Sequence, residues 1–560
     1  MTFAEVSTET LRIVSRTRVF PKTPPTGPHS IPLSIIDATT ANFAPCAAVW
    51  FFSPPTIPSA TMPPICLQAA LEQTLNVYPQ FSGRLHWAAY RAAGLHTERY
   101  GRLMLSYEFL DGKDPGVEFV VATSDSPLSS FVPSAVERSR NGGIWDPSQA
   151  RSRDLIPPTA LAPVLSAAES LESAQVSSNS NGDAVAVAPC LVAQITTFSC
   201  GGKAIALQAA HPLADAQALS FFAQDWAINA RAINHAFVPN CPKPNFPAVL
   251  PIYNPSLLDE SAAGDIDSLY PQVGLVEIAR ALPCHRYDWW APLPASSKSF
   301  PTTATVVPSI FQEDRTLLER DAGDPMPWDE WDITKPVLHY MIHFSNVEIY
   351  RIWEAASMEG NVSKHDALLA HIWSCINRSR RVSNDQELVH LDVTIGLRTR
   401  ISPPLPAKFM GSPIMLARVL ACGHDASTDV PAIMAKRIQS TLAQFTAEKL
   451  AAHLHDKIHE ISPQRIWQCF LGKRHLLVTS WVHTGVYEVD FGGGRPAYVE
   501  AVMPSCDGCV QVMEAAPTVT SENDSNKLKW WEGGVDVSVH LEKEAMKRLL
   551  TEPLLRKYKI

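Results

Sequence analysis

The run HPLADAQALSFFAQDW, His211 to Trp226, sets a histidine four residues ahead of a carboxylate, Asp215. Histidine is the side chain whose unperturbed pKa lies nearest neutrality. Held beside a nucleophile, it can take a proton and return it to a leaving group, worth about 10²–10⁴ in rate. His211 stands where the apolar run KAIALQAA ends and a helical pattern begins. A strand end fixes its backbone while the imidazole faces a cleft. Asp215 directly precedes the helical pattern and suits an N-cap. That placement makes Asp215 a loop-fixing residue and not a second catalytic carboxylate. Alone, the spacing His-x-x-x-Asp arises often by chance, and a single histidine near a strand end is more often structural than catalytic.

The elements that must position this histidine are legible around it. LVAQITTF and KAIALQAA flank Ser199-Cys200-Gly201-Gly202 and read as a hairpin, with Gly-Gly supplying the positive φ that tight turns need. Leu219, Phe222 and Trp226 fall on one stripe of the following helix. AAVWFF, Ala47–Phe52, reads as a strand, and Ile65 to Val77 as a helix. Ser363 opens a second helix, SKHDALLAHIWSCI, with Ser363 and Asp366 at capping spacing. HLLVTSWV and GVYEVDF, either side of His483-Thr484-Gly485, read as a second hairpin. Pro239 to Pro336 is Pro-rich without sustained periodicity and reads as a crossover between residues 1–238 and residues 337–560. Ser166–Asp183 is small and polar, the pattern of a surface insertion.

Composition bounds the partners. Of 560 residues, 46% are apolar, enough for a real core, and 46 prolines outnumber 26 glycines, which implies many punctuated loops. The net charge is −9 with no long basic run, which argues against sequence-independent nucleic-acid binding. No stretch of 18 apolar residues occurs and the N-terminus lacks a signal-peptide core, so a cytoplasmic protein without a membrane span is expected. Eleven scattered cysteines predict free thiols, and Cys506 and Cys509, the one Cys-x-x-Cys pair, predict no metal site without further ligands.

The chain resembles the BAHD family of acyl-CoA-dependent acyltransferases through motifs in that family's order. LSIID (Leu33–Asp37), YPQFSGRL (Tyr78–Leu85), HPLAD (His211–Asp215) and SKHDALLAHIW (Ser363–Trp373) are four of them. GLRTRISPPLP (Gly396–Pro406), TSW (Thr479–Trp481) and DFGGGRP (Asp490–Pro496) complete the series. The resemblance implies an α/β protein of two chloramphenicol-acetyltransferase-like domains, mixed sheets flanked by helices, joined by the crossover. It implies transfer of an acyl group from acyl-CoA to a hydroxyl or amine of a natural product, with His211 as general base. It implies a monomer with no permanently bound cofactor.

The resemblance also assigns further residues. Thr479 and Trp481 line the region where the oxyanion develops. Asp490 anchors structure through an arginine, Arg398 or Arg400, away from the chemistry. Ser363 and Lys364 are contacts for the CoA phosphates or pantetheine, helped by helix N-terminal amides. Ala210, Ala216, Ser412 and Gly493 depart from the family pattern, and the missing Trp at Gly493 leaves a space that another side chain must fill. Two rival readings accompany this one. A condensation-type domain would take its acyl group from a carrier protein, and a silent homologue would bind ligand without turnover.

Overall fold

A computed structural model describes the chain except residues 1–10, 56–62, 110–113, 135, 137, 139–141, 148–151, 158, 160, 162–187, 238–248, 293–304, 517–528 and 560. The Ser166–Asp183 insertion lies outside the described residues. Two mixed sheets dominate. The first runs, edge to edge, Arg12–Val19, Val117–Ser124, Leu191–Phe198, Lys203–Ala209, Cys46–Phe52 and Tyr498–Ala501. The second runs Ile414–Cys422, Leu388–Gly396, His475–Ser480, Cys509–Glu514, Val535–Glu542, Val337–Phe344 and Ile144–Trp145. Each half lends the other a strand: Tyr498–Ala501 pairs with Cys46–Phe52, and Ile144–Trp145 pairs with Val337–Phe344.

Local chemistry explains the elements around the histidine. Leu191–Phe198 and Lys203–Ala209 form the expected antiparallel hairpin, turning at Gly201 with φ +86°. Cys46–Phe52 is buried throughout, which a continuous apolar run requires when both sheet faces are covered. Helix Ala216–Phe237 packs Leu219, Phe222 and Trp226 inward, all fully buried. Phe222 meets the rings of Tyr78 and Phe81 edge-on at 5.2 and 5.1 Å, and Tyr78 Oη donates to Asp225 at 2.7 Å. YPQFSGRL is therefore a packing motif. Helix Lys364–Ser379 starts with the full capping box, Ser363 and Asp366 each satisfying the other's backbone amide.

The second hairpin is not formed. His475–Ser480 lies between two parallel neighbours, Leu388–Gly396 and Cys509–Glu514. GVYEVDF instead makes a short 3₁₀ turn, Val486–Glu488. Its apolar residues Val486, Val489 and Phe491 are buried in the N-terminal core, so their alternation serves packing and not a ladder. Of the crossover, the described parts hold short helices, among them Ser256–Asp259 and Val273–Arg280, and a two-residue strand, Tyr287–Asp288, paired with Ile466–Trp467.

Candidate active site

His211 follows the hairpin directly. Ala210 N–H closes on Cys190 O, and His211–Leu213 form one 3₁₀ turn before helix Ala216–Phe237. Asp215 does two things. Its Oδ1 caps the helix by accepting from Ala218 N at 2.9 Å, and both oxygens accept from Arg398, at 2.5 and 2.9 Å. Arg398 also donates to the carbonyls of Phe409 and Gly411. This bidentate pair, with Asp215 N–H on Gly411 O at 3.2 Å, clamps the histidine loop to a loop of the C-terminal half. The Asp215 carboxylate is spent on this clamp and on the helix.

The imidazole is oriented from the other side. His211 Nδ1 lies 2.9 Å from Ser412 Oγ, and Phe43 meets the ring edge-on at 5.4 Å. Ser412 is itself held, its N–H donating to Asp37 Oδ1 at 2.6 Å, while Ser34 Oγ donates to Asp37 Oδ2 at 2.6 Å. Gly411 carries φ +115°, and a Cβ there would approach Asp37 Oδ1 to 3.0 Å. Only glycine lets the loop close on the carboxylate. LSIID thus reaches the histidine through two hydrogen-bonded steps, a link that the sequence motif marks but does not explain.

Burial pushes the His211 pKa below its ordinary 6.5, with the Asp215 charge and its own carbonyl acting the opposite way. The ring is neutral at neutral pH. A neutral imidazole that gives its Nδ1 proton to Ser412 keeps an Nε2 lone pair for accepting another. Asp37 behaves oppositely: complete burial raises it from 3.8 to about 7 despite its hydrogen bonds. The folded state therefore holds this proton more tightly than the unfolded chain. Its stabilising contribution is whole below about pH 4 and is lost as pH rises through 7, on the order of 4 kcal/mol in all. Asp37→Asn keeps an acceptor for Ser412 and a group for Ser34. Its melting temperature is expected to exceed wild type at pH 8, with the gap narrowing as pH falls and closed by about pH 4 in scanning calorimetry. A gap independent of pH would sink this account.

His211 opens on a cavity of about 990 Å³ whose wall is mainly apolar. Both halves and the crossover line it, including Phe43, Phe221, Trp289, Trp331, Arg398, Trp467, Thr479, Trp481 and Gln511. Thr479 and Trp481 therefore share one cavity with His211. With its amide turned to satisfy both neighbours, Gln511 accepts from Trp481 Nε1 at 2.8 Å and donates to Ala501 O. Sequence reading missed Trp289, Trp331, Trp467 and Gln511, which carry no motif.

Other sequence assignments fall elsewhere. Asp490 does not pair with Arg398 or Arg400. Arg398 is occupied by Asp215, and Arg400 donates to Leu442 O at 3.4 Å. Asp490 Oδ1 instead accepts from the amides of Gly492 and Gly494, and its carbonyl accepts from Arg231 of helix Ala216–Phe237. Among the described residues no side chain fills the space beside Gly493, which is exposed and has no atom within 4 Å of its would-be Cβ. Ser363 is used in its capping box, and Lys364 Nζ sits 4.0 Å from the Trp353 ring centre and 4.5 Å from that of Trp531. Neither lines the cavity. His285, His390 and His475, far apart in sequence, come together without lining it.

Comparison with known proteins agrees with the fold and the motifs. The family model described as "Transferase family" matches residues 10–139, 161–246 and 316–554. Acyltransferase AFT15-1 of Alternaria alternata is 27% identical over 97% of this chain and 96% of its own length. Acyltransferase abl6 of Leptosphaeria maculans is 24% identical over 97% and 98%. Among solved structures, F. graminearum TRI101 complexed with coenzyme A and T-2 mycotoxin superposes with a TM-score of 0.60 at 13% identity, covering 95% of this chain and 99% of that one. Vinorine synthase gives 0.55 at 18%, covering 97% and 98%. Among the described residues no helix is long and apolar enough to cross a membrane. The two mixed sheets, the clamped histidine loop and a family match over most of its length place this chain in the BAHD transferase family, as an acyltransferase of the two-domain chloramphenicol-acetyltransferase-like fold.

Proposed function

We propose that the protein transfers an acyl group from acyl-CoA to a hydroxyl or amine of a small natural product, with His211 as general base. One observation carries the reading: a neutral imidazole, fixed at Nδ1 by Ser412, borders a large cavity shared by both halves. The acceptor's oxygen or nitrogen attacks the thioester carbonyl as its proton passes to Nε2. The tetrahedral intermediate collapses, the C–S bond breaks, and the imidazolium returns the proton to the CoA sulfur. Holding both substrates in one cavity supplies roughly 7–11 kcal/mol of the barrier by orientation. Thr479 is the hydroxyl we assign to the developing oxyanion, a role worth about 3–4 kcal/mol where measured elsewhere. The TRI101 structure, complexed with coenzyme A and T-2 mycotoxin, supports two-substrate binding on this fold.

The test is product mass spectrometry with an acyl-CoA mixture and a crude metabolite extract, wild type beside His211→Ala. Acylated products that need free acyl-CoA and vanish in the variant support the reading. Products seen only with carrier-bound donors, or none at all, favour the rival readings. For an identified acceptor, the acid limb of kcat/KM against pH is expected to turn below 6.5, because a base of depressed pKa stays unprotonated further into acid. A limb turning above 6.5 would contradict the assignment.

A further inference from the structure

Three histidines converge outside the cavity. His285 comes from the crossover, His390 from strand Leu388–Gly396 and His475 from strand His475–Ser480. One nitrogen of each lies within 4.8 Å of those of the other two. His390 and His475 are register partners on adjacent parallel strands, stacked 4.2 Å apart, and His285 is tilted by 46° to both rings. Two carboxylates face the open nitrogens, and Tyr287 Oη, 2.9 Å from His475 Nε2, leaves Nδ1 as the open one of that ring. Asp392 Oδ1 lies 3.1 Å from His285 Nε2, and Glu330 Oε2 lies 3.5 Å from His475 Nδ1.

The polar bookkeeping is unusual for a protein interior. His285 Nε2, His390 Nδ1, His475 Nδ1, Asp392 Oδ1 and Glu330 Oε2 are all buried atoms without an aligned hydrogen-bond partner. His285, Asp392 and His475 are at most 2% exposed. An unsatisfied buried polar group costs about 1–3 kcal/mol, so five in one cluster call for a shared partner.

We propose that His285, His390 and His475 bind one divalent transition-metal ion of the zinc class, with the carboxylates of Asp392 and Glu330 facing the same nitrogens as further oxygen donors. Imidazole nitrogen and carboxylate oxygen are both donors for such ions. Ligands of a tetrahedral zinc stand roughly 3.4 Å apart, so the nitrogens must close by about 1 Å and one stacked ring must turn. His390 is only half-buried and gives the ion a way in. None of the three histidines lines the cavity, which makes the ion a structural tie. It would pin the crossover, and with it Trp289 four residues beyond His285, to the sheet that carries Thr479.

The experiment uses the full chain without a histidine tag. Metal content is measured by inductively coupled plasma mass spectrometry, and chelator-stripped protein is titrated with Co²⁺ and followed by visible absorption. About one ion per chain, a saturable visible Co²⁺ band displaced by Zn²⁺, and loss of both in His390→Gln are expected. His339→Gln, in a separate stacked pair with His540, should leave the metal in place. Stripping should lower the melting temperature of wild type and not that of His390→Gln. Absence of a saturable band in stripped wild-type protein, a result that needs no variant, overturns the proposal. So does undiminished binding in His390→Gln. Neither result depends on acyl transfer.

Discussion

His211→Ala is expected to lower kcat/KM by about a hundredfold to ten-thousandfold, the range that a positioned general base supplies. The protein should remain folded. His211 stands at the cavity wall, and its ring makes one hydrogen bond and one edge contact. Truncation leaves the Ser412 hydroxyl facing the cavity, where water can meet it. The melting temperature should therefore move by no more than a few degrees while turnover collapses. The pH profile separates loss of a base from general damage. The acid limb below 6.5 should disappear in the variant, since the group that titrates there is gone. Ser412→Ala should retain that limb but lose roughly tenfold in kcat, because the ring keeps its base and loses its orienting partner. A His211→Ala enzyme with wild-type turnover would end the assignment.

The sequence disclosed the parts of this site that depend on local period and spacing. Strand end, histidine, N-cap and helix follow one another within sixteen residues. Each has its own signal: an apolar run, Asp before the helical pattern, then a stripe at helical spacing. The capping box at Ser363 is similarly local. Partners chosen across the chain were not legible. HLLVTSWV reads as a strand, but its neighbours are two distant parallel strands, because pairing is decided by packing and not by the nearest apolar run. Arg398 was assigned to Asp490 by resemblance alone, whereas the fold brings it to Asp215, 183 residues away. Asp37, Ser412 and His211 are joined by bonds spanning 375 and 201 residues, which no window of sequence contains. The three clustered histidines each read as solitary for the same reason.

Breaking the Asp215–Arg398 pair should give the largest loss of stability. Both side chains are nearly buried, 8% and 14% exposed, and two parallel N–H···O bonds join them. Arg398→Ala strands the Asp215 carboxylate in that setting, and losing one partner of a buried pair costs about 3–5 kcal/mol. Asp215→Ala strands the guanidinium and also removes the cap on Ala218 N, a further loss of about 1 kcal/mol. Asp215→Ala should therefore be the less stable of the two in denaturant unfolding. Arg398→Lys should recover only part of the loss, because an ammonium cannot make the bidentate bond. The double variant is the decisive member. With both charges absent, no unpaired ion remains, so its cost should fall clearly below the sum of the singles. Activity should fall in all of them through a displaced loop, yet the surviving protein should keep its acid limb, since His211 is still present. Strictly additive losses would mean that the pair is a solvated contact, and that something else holds the histidine loop.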